Sequence, residues 1–378
     1  MVIPGIEVLT QSDFRLLRGL RVGLLTNPSA VTRDLTSAYT LFTQAETLEL
    51  HALFGPEHGF SASAQDGVKV GSAVDPRTGV PVHSLYGDTM RPTPEMLADI
   101  DVLVCDIQDI GVRYYTFLWT ISHVIEACGE NGVPVVILDR PNPLGDEVLG
   151  GGLAEGISTL VGRYDVPVQY GMTLGEMVRY LNDHHNPTPC EVTVIACANY
   201  TRKQDWHESG LPFVAPSPNM PHWITARHYA GSCLIEGTTL SEGRGTALPF
   251  EIVGAPMLDG DQLAQALNAL NLDGVRFRPH NFTPAFSKYA GEACYGVQAH
   301  ITDERIYQAL PTWLQVLQTI RQLAPDVFDW KAEHFDRLIG DPTVREALDA
   351  GESVASIGAG WFDYCTQFRH ARHDYLLY

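Results

Sequence analysis

Short apolar runs alternate with helical patterns along the first half of this chain, at a spacing that constrains the fold. The runs at residues 22–25, 49–54, 101–105 and 133–138 each end in a polar cluster. Apolar runs of this length separated by amphipathic segments are typical of βαβ units. We therefore predict an α/β fold whose main body is a Rossmann-like, mostly parallel sheet flanked by helices.

Local signals place further elements. Thr93, Thr173 and Asp259 are predicted helix N-caps, with Pro94 following Thr93 and Glu176 completing a capping box. Helical patterns occur at 34–46, 114–129, 174–182, 259–270, 304–323 and 342–350, and further strand-like runs at 191–197, 274–278 and 295–301. Residues 61–81 form a predicted loop rich in glycine, serine, aspartate and proline.

The polar clusters should meet at one place, because parallel strands all end at the same edge of a sheet and ligands bind there. Carboxylates supply acid and base groups, and arginines and amides bind carboxylates and hydroxyls. An active site is therefore predicted at this edge. Its candidates are Asn27, Glu57, His58, Asp106, Gln108, Asp109, Arg113, Tyr114, Asp139, Arg140 and Asn142.

Each cluster also has a structural interpretation. Glu57 and His58 lie between Gly55 and Gly59, which permit close backbone approach to a ligand. The alternatives are a turn in which the glutamate caps a helix, and a histidine bonded to backbone.

Of Asp106 and Asp109, we expect one to be structural, for example as a helix cap, and the other to face the crevice. Arg113 could bind a ligand carboxylate bidentately or neutralise one of these aspartates. Asp139 and Arg140 precede prolines that restrict the backbone, and could instead form an internal ion pair.

The second half is less regular. Residues 205–230 contain four prolines and are predicted to be irregular, with the domain change in or just after them. We predict a Rossmann-like domain at 1–230 carrying most of the site, and a smaller α+β domain at 231–378 closing the cleft. Asn219, in a stiff proline-rich loop, is a further candidate.

The glycine-rich segment 236–245 adds Glu236, Glu242 and Arg244, as a loop wrapped on a ligand or as a turn with surface charges. It lacks the Lys-Ser/Thr pair of a phosphate loop.

Composition excludes several classes of function. A net charge of −20 opposes nucleic-acid binding. No apolar stretch approaches the roughly 20 residues of a membrane helix. Dinucleotide, zinc-protease and nucleophile-elbow motifs are absent, so no cofactor and no metal are expected.

The seven scattered cysteines are interpreted as reduced core residues. With no signal-peptide pattern we expect a cytoplasmic protein, or a secreted or periplasmic one if the chain is a trimmed mature form.

Several long motifs resemble the DUF1343 (YbbC-like) family, the exo-β-N-acetylmuramidases called NamZ: LLTNPSAVT, LFGPEHGF, DIQDIGVRYYT, LDRPNPLG, PSPNMP, EGTTLSEGRGT and the terminal YLLY. The resemblance implies a hydrolase that removes N-acetylmuramic acid from the non-reducing ends of peptidoglycan fragments. It also implies a Rossmann-like larger domain, a smaller C-terminal domain and a cleft between them.

The family's EHG motif falls on residues 57–59 here, and the resemblance implies that Glu57 is the catalytic acid. Glycosidases normally use two carboxyl groups, and the second could be Asp106, Asp109, Asp139, Glu236 or Glu242. We take Glu57, Asp106 and Glu236 as the catalytic candidates and the others as substrate-binding. A third route uses the substrate's own 2-acetamido group as nucleophile.

Muramic acid carries a lactyl carboxylate that glucosamine lacks, so discrimination needs a cation. The candidates are Arg113, Arg140, Arg163 and Arg244. Tyr114, Tyr115, Trp119 and Trp223 could stack on the sugar, although Trp119 fits the core better. The expected partner is a small glycan, and the oligomeric state is left open. The competing function is a non-catalytic protein that binds muropeptides between its two domains.

Overall fold

The computed structural model describes residues 1–60, 71 and 73–378. The chain folds into two compact units. The first unit comprises residues 1–147, 170–223 and 370–378, and the second comprises 148–169 and 224–369. The predicted division at residue 230 stays a prediction. Part of the predicted loop at 61–81, namely 61–70 and 72, lies outside the described residues.

The first unit is built on a seven-stranded sheet. The strands are β1 (Arg21–Thr26), β2 (Glu49–Gly55), β3 (Ala73–Val74), β4 (Pro81–Ser84), β5 (Val102–Asp106), β6 (Val135–Leu138) and β7 (Val192–Ile195), in the order β3-β4-β2-β1-β5-β6-β7. All neighbours are parallel except β3 and β4. The Rossmann-like, mostly parallel sheet is therefore confirmed.

Helices flank this sheet. They are α1 (Gly5–Gln11), α2 (Ala38–Gln44), α3 (Pro94–Leu97), α4 (Phe117–Asn131), α5 (Leu174–His184) and α6 (Trp206–Ser209). The predicted caps are confirmed: Thr93 accepts from the Met96 amide, and Thr173 forms a capping box with Glu176. Trp119 is fully buried, as expected for a core residue.

The second unit holds a smaller, antiparallel sheet. Its strands β8 (Ile252–Ala255), β9 (Val275–Phe282) and β10 (Cys294–Ile301) lie in the order β8-β10-β9. The helices after β7 that belong mainly to this unit are α7 (Trp223–Ser232), α8 (Gly260–Ala269), α9 (Ala309–Leu323), α10 (Ala332–Ile339), α11 (Pro342–Asp349), α12 (Val354–Ala359) and α13 (Phe362–Ala371). A smaller α+β part is therefore confirmed.

The prediction that 205–230 is irregular was wrong, because α6 and α7 both lie there. Asp205 caps α6 through a capping box with Glu208. The last proline of the segment, Pro221, precedes α7, so every residue of α7 keeps its backbone N–H group.

The seven cysteines are all free and buried. Burial raises the pKa of the Cys190 and Cys294 thiols to about 11, which keeps them protonated and unreactive at neutral pH. The interpretation as reduced core residues is confirmed. Among the helices in the described part of the chain, none is long and apolar enough to cross a membrane.

Candidate active site

The carboxyl ends of the central strands of the first unit lie level with one another. Thr26 at the end of β1 pairs in register with Asp106 at the end of β5, and Leu25 pairs with Phe54 near the end of β2. On the other side of β5, Cys105 pairs with Ile137 of β6. The polar clusters that follow β1, β2, β5 and β6 therefore start at one edge of the sheet, as predicted.

Glu57 stands in a tight turn after β2. His58 and Gly59 both have positive φ angles, 69° and 78°. A side chain at Gly55 would place its Cβ 2.5 Å from the Phe60 nitrogen, so that position needs glycine. The turn leaves Glu57 only 5 % exposed, and the Thr116 hydroxyl donates to its Oε2 at 2.7 Å. Glu57 is thus a buried carboxyl held by a neutral hydroxyl.

Asp106 forms a fully buried, bidentate ion pair with Arg140. The Arg140 Nε and Nη2 atoms lie 2.5 and 3.0 Å from the two carboxylate oxygens, and Nη1 donates to the Val31 carbonyl at 2.9 Å. The internal ion pair suggested between Asp139 and Arg140 was wrong: Arg140 pairs with Asp106, and Asp139 accepts from hydroxyls and a backbone amide instead. The geometry of the Asp106–Arg140 pair fixes the loops after β1, β5 and β6 to one another.

Asp109 has one occupied and one open carboxylate oxygen. Its Oδ2 accepts from the Gly111 amide at 2.9 Å and from the Tyr170 hydroxyl. Its Oδ1 is buried and has no hydrogen-bond partner among the described residues. Burial raises the pKa of Asp109 to about 6, although Tyr170 and nearby backbone amides favour the charged form. This arrangement fits the expectation that Asp106 and Asp109 have different roles.

Asp139 has both oxygens occupied. Oδ2 accepts from the hydroxyls of Thr173 and Tyr378 at 2.6 and 2.8 Å, and Oδ1 accepts from the Gly175 amide at 2.9 Å. Burial raises its pKa to about 6 despite these donors. Asp139 therefore ties the end of β6 to the start of α5 and to the last residue of the chain.

The amide side chains of the site bind backbone. Asn27 donates to the Pro216 carbonyl at 3.2 Å, Gln108 to Pro141 at 2.9 Å, and Asn142 to Met172 at 2.9 Å. These contacts join loops that are far apart in sequence. Gly111 is needed beside Asn142, because a Cβ there would lie 2.2 Å from the Asn142 Oδ1.

The remaining candidates of the first unit are also buried. Arg113 is inaccessible, and its carbonyl accepts from the Trp119 indole at 2.6 Å. His58, Tyr114 and Asn219 are each at most 7 % exposed.

Tyr115 relates two of the carboxylates to one another. Burial raises the pKa of the Tyr115 hydroxyl well above its usual value, and the negative charges of Asp109 and Glu57 raise it further. The charges of Glu57 and Asp109 therefore both reach this one hydroxyl.

The second unit has its own charged cluster, which contains Glu236, Glu242 and Arg244. Arg244 lies 2.7 Å from Glu236 and 3.6 Å from Glu242, with its guanidinium 5.0 Å from the centre of the Phe250 ring. Lys288 lies 3.0 Å from Glu242 and donates to the Leu240 carbonyl at 2.7 Å. These contacts hold the glycine-rich segment 236–245 in a defined conformation.

The same cluster lowers the pKa of Glu236. Burial alone would raise it, but Arg244 and His334 more than offset burial and bring it to about 2. Glu236 is therefore an ionised carboxylate at any physiological pH.

Several contacting residues were missed by sequence reasoning. They are Thr116, Tyr170, Thr173, Lys288, His334 and Tyr378. Four of these carry a signal, since Thr116 and Tyr378 lie inside family motifs, Tyr170 begins the family motif YGMTLGE, and Thr173 is a predicted cap. Lys288 and His334 stand in no such motif. Within residues 1–60, 71 and 73–378, no three histidine, cysteine, aspartate or glutamate side chains are grouped so as to hold a metal ion.

Comparison with known proteins gives the family. The family models for the N-terminal and C-terminal parts of the exo-β-N-acetylmuramidase NamZ match residues 22–224 and 227–378. The chain belongs to the NamZ family. It is 43 % identical over 379 residues to the peptidoglycan β-N-acetylmuramidase NamZ of Bacillus subtilis strain 168, covering 100 % of this chain and 91 % of that protein.

Solved structures agree with this membership. A DUF1343 family protein from Bacteroides fragilis, with a crystal structure at 1.65 Å resolution, superimposes with a TM-score of 0.92 at 36 % identity. A second protein of that family and organism gives a TM-score of 0.81 at 30 % identity. Each covers 100 % of this chain and 99 % of the other. The NamZ-type fold therefore extends over the whole sequence.

Proposed function

We propose that this protein is an exo-acting glycoside hydrolase that releases N-acetylmuramic acid from the non-reducing ends of peptidoglycan fragments. The observation that carries the proposal is the full-length match, at 43 % identity, to a relative named as a peptidoglycan β-N-acetylmuramidase. The buried carboxyl groups of the first unit supply the type of chemistry that glycoside hydrolysis needs.

In this proposal Glu57 is the general acid. It lies in the EHG turn of the family, is nearly inaccessible, and has one oxygen held by Thr116. A carboxyl group fixed in this way is held in a defined orientation, as protonation of a leaving group requires.

Asp106 and Glu236 stay predictions as catalytic carboxylates. Each is bound to an arginine, Arg140 for Asp106 and Arg244 for Glu236. Arg244 and His334 hold the pKa of Glu236 at about 2, so this carboxylate is ionised, which suits a nucleophile or an electrostatic stabiliser and does not suit a proton donor.

Recognition of the lactyl carboxylate is assigned to arginine. Arg140 directs Nε and Nη2 at Asp106 and Nη1 at the Val31 carbonyl, so we assign it a positioning role. Arg113, Arg163 and Arg244 remain the candidates for the lactyl group.

The decisive experiment compares release from a chromogenic β-N-acetylmuramide and from the matching glucosaminide. We expect release from the muramide only. Glu57→Gln should lower kcat by about 100-fold or more, because a positioned acid contributes that much. The matched control is Glu130→Gln, at an exposed ion pair with Arg91, which should leave kcat unchanged.

Two other outcomes of this experiment would contradict the proposal. Equal release from both glycosides would contradict muramic-acid specificity. Binding of N-acetylmuramic acid without release from any muramyl substrate would show a binding protein in place of a hydrolase.

A further inference from the structure

We propose that Asp109 binds the substrate directly, its Oδ1 accepting a hydrogen bond from the N–H of the 2-acetamido group of muramic acid. This inference rests on the proposed function, because that function supplies the identity of the sugar. It adds a contact residue and the substrate atom that the residue recognises.

The open oxygen of Asp109 is the first argument. Buried polar atoms in folded proteins nearly always have a partner, and an unpaired one costs about 1–3 kcal/mol. Asp109 is 5 % exposed, and no described residue hydrogen-bonds its Oδ1. A ligand that supplies a donor to this oxygen would remove that cost.

The neighbouring aspartates, Asp106 and Asp139, differ from Asp109 in the number of carboxylate oxygens that are hydrogen-bonded. Asp106 has both oxygens bound by Arg140, and Asp139 has both bound by Thr173, Gly175 and Tyr378. Asp106 ends β5, Asp109 and Asp139 follow β5 and β6 at the same edge of the sheet, and all three are buried. Asp109 differs from the other two by the one oxygen left for a ligand.

The chemistry of the contacts decides which ligand atom fits. Tyr170 and Gly111 both donate to Oδ2, which favours the ionised carboxylate. Oδ1 is therefore an acceptor. The hydroxyls of an N-acetylated sugar donate and accept, whereas its amide N–H can only donate. A buried oxygen that can only accept is best matched by a group that can only donate.

The location agrees with this assignment. The charges of Asp109 and Glu57 both raise the pKa of the Tyr115 hydroxyl, so the proposed contact and the proposed acid lie in the same region of the first unit. The acetamido group sits on the carbon next to the anomeric centre. A group that binds it must therefore be near the acid that protonates the leaving group.

Binding of N-acetylmuramic acid and of its 2-O-acetyl analogue tests the atom assigned. The analogue keeps the carbonyl and the size of the acetamido group and lacks only the N–H. We expect the wild type to bind the analogue about 10- to 100-fold more weakly, the range for a hydrogen bond to a charged group. Asp109→Asn should bind both sugars weakly and nearly equally.

Asparagine is a suitable replacement because of the geometry on the other oxygen. The amide oxygen must face the donors Gly111 and Tyr170, which turns the NH₂ group toward the position of Oδ1. The variant would therefore present a donor to a donor. Equal binding of both sugars by the wild type, or a preference kept by Asp109→Asn, would overturn the inference.

Tyr170→Phe gives a readout that a purely structural role of Asp109 would not move. Loss of the hydroxyl removes a donor that stabilises the charged form, so the pKa of Asp109 rises from about 6. Because the contact needs the ionised form, kcat/KM should fall as pH drops through this pKa, and the fall should begin at higher pH in Tyr170→Phe. An acid limb that stays at the same pH in Tyr170→Phe would contradict the proposal.

The control for this shift is Tyr375→Phe, which removes another tyrosine hydroxyl that donates to an aspartate, Asp183 at 3.2 Å on the surface. It should leave the acid limb in place. Failure of the proposed function is separable, since the wild type would then not cleave the muramide at all, while the binding preference could still be measured.

Discussion

Two buried aspartates of the first unit, Asp109 and Asp139, and two buried glutamates of the second unit are stabilised in different ways. In the first unit, Asp109 and Asp139 accept from hydroxyls and backbone amides, with no lysine or arginine partner among the described residues. In the second unit, Glu236 and Glu242 lie against Arg244 and Lys288. Burial raises the pKa of both aspartates to about 6, whereas Arg244 and His334 overcome burial and lower that of Glu236.

This difference separates two uses of a buried acid. Neutral donors orient a carboxyl group but do not fully replace water around its charge, so it can gain a proton near neutral pH. A cation holds the carboxylate ionised and makes the pair part of the framework. Asp109 and Asp139 are therefore suited to respond to a ligand or to pH, whereas Glu236 and Glu242 hold the segment 236–245, as Asp106 with Arg140 holds loops of the first unit.

The largest expected effect is the loss of a framework cation. Lys288→Met leaves Glu242 without its nearest cation and removes a donor to the carbonyls of Ile235, Glu236 and Leu240. Breaking a buried ion pair from one side costs about 3–5 kcal/mol in the free energy of unfolding. Chemical denaturation measures this loss.

The controls for this variant are direct. Lys203→Met, at an exposed lysine, should change the unfolding free energy little. Lys288→Met combined with Glu242→Gln should recover part of the loss, because no buried charge is then left unpaired. A cost below about 1 kcal/mol for Lys288→Met alone would mean that the cluster is solvated and that the comparison between the units fails.

The next effect is a pH dependence of stability with opposite signs for Asp139 and Glu236. The folded-state pKa of Asp139 is raised to about 6 by burial, so the folded protein binds more protons than the unfolded chain between about pH 4 and 6. Its contribution to stability is greatest below pH 4 and is lost as pH rises through 6. Relative to Asp139→Asn, the wild type should lose up to about 3 kcal/mol over this range.

Glu236 should behave in the opposite way. Its folded-state pKa is lowered to about 2, so its stabilising contribution is present above the unfolded value and is lost as pH falls toward 2. Relative to Glu236→Gln, the wild type should therefore become less stable on acidification. Denaturation of both variants across pH 2–7 gives the two slopes, and slopes of the same sign would remove the distinction.

The fold could be predicted from local patterns, and the site only in part. The strands and helices predicted from periodicity and caps lie within a few residues of their observed positions, although the two helices within 205–230 were missed. The clusters at the strand ends follow from the rule that parallel strands end at one edge.

What decides each role is a partner far away in the sequence. Thr116 is 59 residues from Glu57, Tyr170 is 61 from Asp109, and Lys288 is 46 from Glu242. Contacts between residues so far apart in the sequence produce no local spacing pattern from which they could be predicted. The sequence therefore indicated which carboxylates are near the site and could not indicate which one keeps an open oxygen.

The smallest effect tests whether burial sets the value of a cation within the second unit itself. Arg337 pairs with Glu333 on the exposed face of α10, with the two side chains 49 % and 80 % exposed. Arg345 binds Asp336 with two hydrogen bonds of 2.8 and 2.9 Å, and both side chains are less than 20 % exposed. Exposed helical pairs contribute about 0.3–0.5 kcal/mol, because water screens the charges and the side chains lose freedom. Arg337→Ala should therefore cost no more than that, and Arg345→Ala clearly more, in the same denaturation experiment. Equal costs would mean that burial does not increase the contribution of a cation to the free energy of unfolding in this unit. The effect of Lys288 could then not be attributed to its buried position.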